Sequence, residues 1–300
     1  MLTSEDREVL GMAPETSNDG RRPSAVSQVL RAMTAELERA MTWNVPAEVD
    51  GRPDYRVRVC ADRETRERAY HLAYRVYREK GYVPPNAREE IVCGYDARPE
   101  TLTVLVEDSR GQAAGTTSLV FDSAAGLPCD EIYGPEVAEL RSHGRRLVEV
   151  TRLAISEDHA RSKMLLTLLC NVPFAYSMRV GGCTDLVIEV NPRHVAYYVR
   201  LLKFDVLGPE RECPRVQGAP AVLLRADLGM YEAEMLRVGG RGAACSERSL
   251  FPSFFAGARE WEFARFLACN HRPMTSECAR YFGLEKRFPF QHGSYAAAGN

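Results

Sequence analysis

The chain has 300 residues, enough for one large domain or two ordinary ones, and its 45% hydrophobic, 27% charged composition is globular rather than disordered or fibrous. Its 39 basic residues nearly balance 41 acidic ones for a net charge of −2, which argues against a dedicated nucleic-acid binder and leaves room only for a local basic patch. Lysine stands only at 80, 163, 203 and 286, so 35 of the cations are arginine, whose forked guanidinium matters where several converge on an anion.

Nine scattered cysteines show no CxxC pair and no zinc-like spacing, as befits a reducing compartment and no metal site. The first twenty residues lack the basic start and apolar run of a signal peptide. No stretch reaches the roughly 18 apolar residues of a membrane span. A cytoplasmic protein without a cofactor is expected.

In chain order, residues 1–53 read as an N-terminal extension, polar and poorly ordered to about residue 24. A helix over 24–41 follows on Val26, Val29, Leu30, Met33 and Leu37, then a linker over 44–53 interrupted by Pro46, Gly51 and Pro53. Residues 54–230 form the main domain. It opens with a strand over 55–60, where Tyr55, Val57 and Val59 alternate with arginine and cysteine. A helix over 64–80 ends at Gly81, and two strands, 102–107 and 114–121, form a hairpin. A strand over 147–155 leads to a buried helix over 164–180 that Pro173 must kink or divide. Then come a strand over 186–190, a helix over 193–202, an uncertain strand near 205–207 and a strand over 221–226. Residues 231–300 form a C-terminal extension, with short helices over 258–269 and 276–282. Its Phe251, Phe254, Phe255, Trp261, Phe263 and Phe266 either pack on the main domain, cover an apolar ligand as a lid, or make a dimer contact.

The element order resembles the GNAT acyltransferase fold, a mixed α/β (α+β) sheet flanked by helices. The stretch from Leu147 to Ala154 (LVEVTRLA) resembles the corresponding strand of LuxI-type acyl-homoserine-lactone synthases. A closer similarity is to N-acyl amino acid synthases of the FeeM type. It is carried by Gly115-Thr116-Thr117-Ser118-Leu119, by Asp122 with the loop from Gly126 to Tyr133, by the Glu149 strand, by His194 to Phe204, and by Pro214 to Leu224. It spans about residues 54–228. Two departures stand out: Lys203 replaces the glycine of a Gly-Phe pair, and Thr117-Ser118 stands where lactone synthases carry an arginine, which counts against S-adenosylmethionine as substrate.

This resemblance implies transfer of a long acyl chain from acyl carrier protein, or less often coenzyme A, to the α-amine of an amino acid or similar small amine. Such an amine titrates near 8, so about a tenth is free base at neutral pH and a modest base suffices. Glu149 faces away from Val148 and Val150 and is placed to accept the ammonium proton. Arg152, three residues on, falls on the opposite face of a regular strand, whereas a bulge would reverse that parity. Its role is then a substrate carboxylate or the acidic side chains of the first half. A backbone N–H at Leu153 or Ala154 is the candidate oxyanion donor. Tyr198 is the candidate acid for the leaving thiolate, with Tyr197 second.

Thr116, Ser118 and His194 are candidate substrate contacts, His194 matching a position of the family; Asn191 reads equally as a ligand or as the N-cap of the following helix, and Asp96, Asp122 and Asp130 are candidate contacts on loops. Coenzyme A users generally cradle the pyrophosphate in a glycine-rich turn, but residues 156–163 here contain no glycine and two acids. Arg161, Ser162 and Lys163 are instead the candidates for a phosphopantetheine phosphate. With Arg145 and Arg146 they belong to a stretch, 141–163, carrying six cations against three acids, which would attract an acidic carrier protein. The competing readings are a coenzyme A dependent N-acetyltransferase, a homoserine-lactone synthase, and a degenerate fold that binds an acyl ligand or carrier protein without catalysis.

Overall fold

The computed structural model describes residues 40–45 and 55–284. The architecture belongs to the unit Met41–Asn300, and the helix expected over 24–41 lies almost entirely outside the described residues. Its centre is one eight-stranded sheet in the order β1-β2-β3-β4-β5-β6-β8-β7. The strands are β1 (Thr42–Val45), β2 (Tyr55–Val59), β3 (Leu102–Glu107), β4 (Ala113–Phe121), β5 (Leu147–Ile155), β6 (Asp185–Val190), β7 (Asp205–Cys213) and β8 (Ala219–Asp227). Every neighbouring pair is antiparallel except β5 and β6, which run parallel. The helices are α1 (Arg63–Glu79), α2 (Asp130–Ser142), α3 (Lys163–Arg179), α4 (Pro192–Leu202), α5 (Leu228–Val238), α6 (Ala258–Asn270) and α7 (Ser276–Tyr281).

Alternation along the strands sorts side chains to two faces. Val148 and Val150 of β5 join Leu186 and Ile188 of β6 beneath α3, α5 and α6, in a core containing Leu165, Leu169, Met235 and Phe263. On the opposite face Leu147 and Val187 meet Val137 and Leu140 of α2, while Ala154 packs with Leu72, Ala73 and Val76 of α1. Helix α3 lies close against β4 because Gly115 has no side chain: a Cβ there would stand 2.7 Å from Leu169 Cδ1 and 3.2 Å from Leu165 Cδ1. Gly115→Ala is therefore expected to lower stability by about 1–3 kcal/mol through overpacking, read as a lower urea midpoint with an unchanged m-value.

Several expectations are corrected. Asn44 and Val45, read as linker, end β1, which pairs with β2 while Trp43 packs against Phe255, Phe263 and Phe266. Helix α2 was not expected, because Gly134-Pro135 looks like a turn. The chain accommodates the pair with a non-helical Tyr133 (φ −124°), and Val137 and Leu140 still bury a face. Helix α3 runs through Pro173 without dividing. Strand β7 is nine residues long rather than three. The C-terminal aromatics pack on the main domain: Phe251, Phe254 and Phe263 are buried in the shared core, and Trp261 lies under the Arg179 guanidinium at 4.8 Å.

Candidate active site

Strands β5 and β6 pair from Leu147↔Asp185 to Val150↔Ile188, and there the ladder stops although both strands continue. One cause is a bulge in β5. The register with β4 shifts between Ser118↔Thr151 and Thr116↔Ala154, so Arg152 and Leu153 together oppose Thr117, and Arg152 takes φ +52°. The bulge turns the Arg152 side chain onto the α1 side of the sheet, the face Glu149 occupies, reversing the parity of a regular strand. Where the strands part lies a cleft of about 160 Å³ lined by Glu149, Leu153, Glu189, Asn191, Tyr198 and Arg215 among others.

At its floor are two carboxyls. Glu149 is 1% exposed and accepts a hydrogen bond at 2.8 Å from the backbone N–H of Cys129, just before α2. Glu189, two residues beyond Glu149's partner Val187, projects to the same face. One Glu189 oxygen is held by Arg215, which also ion-pairs with Glu131 at 2.8 Å, while Oε1 is buried without a hydrogen-bond partner among the described residues. Two carboxyls, Glu189 and Glu131, thus share one guanidinium, whose charge also acts on Glu149. Burial first, then the neighbouring Glu189 charge, lifts the Glu149 carboxyl to about 8, and burial raises Glu189 as well. The pair accordingly keeps a proton at neutral pH, and its titration belongs to both groups. The buried Cys129 thiol, beside these acids, is also raised well above its usual range and stays protonated, so it supplies no nucleophile.

Tyr198 lines the opposite wall, where α4 places it against Phe204 at 5.5 Å between ring centroids. Burial raises its phenol, so it stays protonated and can donate a hydrogen bond. Asn191 lines the cleft while capping α4, accepting from Arg193 N–H at 3.3 Å and donating to Pro220 O at 3.3 Å. His194 lines it too. Its imidazole is shifted down by desolvation and by Arg193 and Lys80, and Arg193 Nε donates to its Nε2 at 3.1 Å. Lys80 and Arg193 complete the rim, neither within ion-pair distance of a carboxylate among the described residues.

Other candidates from the sequence stand elsewhere or are engaged. Arg152 lines the cleft, but it forms a buried bidentate pair with Asp96 and donates to Ile91 O at 3.2 Å and Ser118 Oγ at 3.0 Å, so its guanidinium holds acidic and polar groups of the first half. Ser118 also bonds Thr103 at 2.9 Å, and Thr116 donates to Val104 O at 2.8 Å; both are consumed within the sheet and line no part of the cleft. Ala154 is turned into the α1 core, whereas Leu153 does reach the cleft. Tyr197 packs on the apolar core outside it. Asp122 and Asp130 are clamped by Arg141 at 2.7–2.8 Å.

The basic stretch does not form one patch either. Arg145 and Arg146 precede the nine-residue β5 and Arg161 to Lys163 follow it, about 30 Å apart along the strand. Arg145 is spent on Asp185 and Asp227, Arg146 donates to Gly182 O, and Ser162 caps α3 while accepting from Tyr55 Oη at 3.0 Å. Arg161 is exposed, and Lys163 lines a different cavity. Sequence reasoning missed Glu189, Arg215, Lys80 and Arg193. Only Glu189 left a signal, as the one acid in an otherwise apolar strand, Leu186-Val187-Ile188-Glu189-Val190.

The sequence pattern of the family described as N-acyl amino acid synthase FeeM matches residues 68–227. Among solved structures, the chain is similar to FeeM, an N-acyl amino acid synthase from uncultured soil microbes, at 24% identity and a TM-score of 0.54, covering 60% of this chain and 94% of that one. The AHL synthase LasI matches at 20% identity and a TM-score of 0.44, over 58% of this chain and 90% of that one. An acyl-CoA N-acyltransferase from Pseudomonas aeruginosa matches at 18% and 0.39, over 58% and 99%. No curated protein matches in sequence. The fold is that of FeeM.

Proposed function

Since this chain belongs to the FeeM family of N-acyl amino acid synthases and is an acyltransferase, we propose that it moves a fatty acyl group from an acyl carrier protein thioester to the α-amine of an amino acid. The observation that carries this reading is the two buried carboxyls, Glu149 and Glu189, on the floor of the cleft where β5 and β6 part, both shifted upward by burial. An α-amine titrates near 8, and a base of similar pKa exchanges protons with it at little cost.

In the reaction the amine nitrogen attacks the thioester carbonyl carbon, and the C–S bond breaks as the tetrahedral intermediate collapses. Glu149, which ionises near pH 8 and is oriented by Cys129 N–H, takes in its ionised form the proton the nitrogen loses and returns it to the departing sulfur. Tyr198 donates a hydrogen bond to that sulfur. It need do no more, because a thiol titrates near 8.5, below the phenol. The backbone at Leu153, past the bulge and free of the β6 ladder, is the oxyanion donor in this scheme.

Lys80 and Arg193 at the rim supply positive charge for a phosphopantetheine phosphate or for the acceptor's carboxylate. The segment after β5, a turn of helix carrying Glu157 and Asp158, offers a pyrophosphate no glycine-lined cradle, which favours the carrier-bound donor. Purified protein supplied with one amino acid mixture and, separately, dodecanoyl carrier protein and dodecanoyl-coenzyme A is expected to form N-acyl amides with the higher kcat/KM on the carrier thioester. A higher value on coenzyme A would overturn the donor assignment.

A further inference from the structure

A second cavity, of about 720 Å³, shares no lining residue with the Glu149 cleft. One wall is a single stripe of α3, Lys163, Met164, Thr167, Leu168 and Asn171, spaced three and four residues apart. The facing wall comes from the C-terminal extension, which lies beyond residues 68–227 that match the family. The volume falls within the range of small-molecule sites.

One feature of the α3 stripe calls for a ligand. Thr167 is 5% exposed, yet its Oγ1 finds no hydrogen-bond partner among the described residues; Asn171, 1% exposed, accepts from Phe255 N–H at 3.2 Å and bonds the Tyr231 phenol, which fixes its amide on the same wall. A helical threonine ordinarily bonds back to the carbonyl four residues earlier. Leaving a buried hydroxyl unsatisfied on a cavity wall is costly unless something else satisfies it. Charge sets the ligand's sign. Lys163 and Arg259 line the cavity with no carboxylate in ion-pair distance among the described residues, whereas the one acid, Glu247, is already paired with Lys203 and Arg237. Met164, Leu168, Phe254 and Phe255 supply an apolar part of its surface, beside Ser249 and Ser253.

We propose that this cavity binds an amphipathic carboxylate, its head against Thr167, Asn171, Lys163 and Arg259 and its alkyl chain along the apolar wall. A free fatty acid and an N-acyl amino acid both present that chemistry. The site is separate from the catalytic cleft and does not depend on the reaction assigned there.

The test is calorimetric titration of the full chain with sodium dodecanoate, with N-dodecanoylglycine, and with dodecyltrimethylammonium as a cation of equal tail, all below micelle formation. Trp43, whose ring lies 6.0 Å from Phe255 on the cavity wall, gives a fluorescence readout in parallel. At least one carboxylate is expected to saturate at one site per chain, and comparing the two identifies the source. The cation is expected not to bind. Thr167→Val, nearly isosteric, should weaken the carboxylate about ten-fold, the scale of a hydrogen bond to a charged group. Arg259→Gln, at the exposed start of α6, should weaken it similarly, and Glu149→Gln should leave it unchanged. Equal binding of the cation, absence of saturation by either carboxylate, or parental affinity in both Thr167→Val and Arg259→Gln would overturn the assignment.

Discussion

Replacing Arg152 by methionine is expected to lower folding stability by about 3–5 kcal/mol, the scale of a buried ion pair left with one partner. Arg152 is 2% exposed and Asp96 1%, so neither charge is relieved by solvent. The pair also organises its surroundings. Asp96 accepts from Cys93 N–H at 2.8 Å, Arg152 donates to Ile91 O, and the guanidinium lies 5.0 Å over the Tyr70 ring of α1. Methionine fills much of the volume but leaves the Asp96 carboxylate buried and unpaired. Asp96→Asn placed on that background removes the stranded charge and is expected to restore a substantial part of the loss, giving a large favourable coupling in a double-mutant cycle from urea melts. A single-variant loss below about 1 kcal/mol would contradict a holding role and return Arg152 to the list of substrate contacts.

The second large effect is on turnover. Glu149→Gln is expected to lower kcat by about 10²–10⁴, the usual contribution of a positioned general base, while the fold persists because glutamine still accepts from Cys129 N–H. It should also alter the dependence of stability on pH. Glu149 titrates higher in the folded chain than in the unfolded one, so between roughly 5 and 8 the folded state holds a proton that the unfolded state has lost. Its stabilising contribution is present below that window and disappears as pH rises through it, with a slope of at most about 1.4 kcal/mol per pH unit. The variant lacks the group, so its stability curve should be flatter between pH 5 and 8. An identical slope in parent and variant would refute the raised pKa.

What could be read from the sequence follows from what determines each feature. The alternation of Tyr55, Val57 and Val59 fixes a half-buried strand locally, and β2 buries those three residues. The resemblance around Glu149 likewise pointed to the strand that carries the site. Arg152 was legible only as a choice between faces, because a non-glycine residue at positive φ leaves no mark in composition. Glu189 needed the β5–β6 register, and Arg215 needed the fold of the segment between β7 and β8, both long-range facts. The charge count over 141–163 misled for a physical reason: residues close in sequence are far apart when an extended strand lies between them. Three of its six cations, Arg141, Arg145 and Arg152, are neutralised by aspartates from elsewhere in the chain. Gly134-Pro135 concealed α2 because local turn chemistry there is overridden by burial of Val137 and Leu140.

The central claim is that the Glu149–Glu189 cleft joins an acyl thioester to an amine. It is tested most directly by mixing stoichiometric purified protein with dodecanoyl carrier protein and amino acids at pH 8, quenching in time, and measuring the N-acyl amide by mass spectrometry. The account predicts amide and free carrier thiol appearing together at equal rates with the parent protein, and at least about a hundred-fold more slowly with Glu149→Gln. Free thiol without amide, or equal rates in parent and variant, would contradict it.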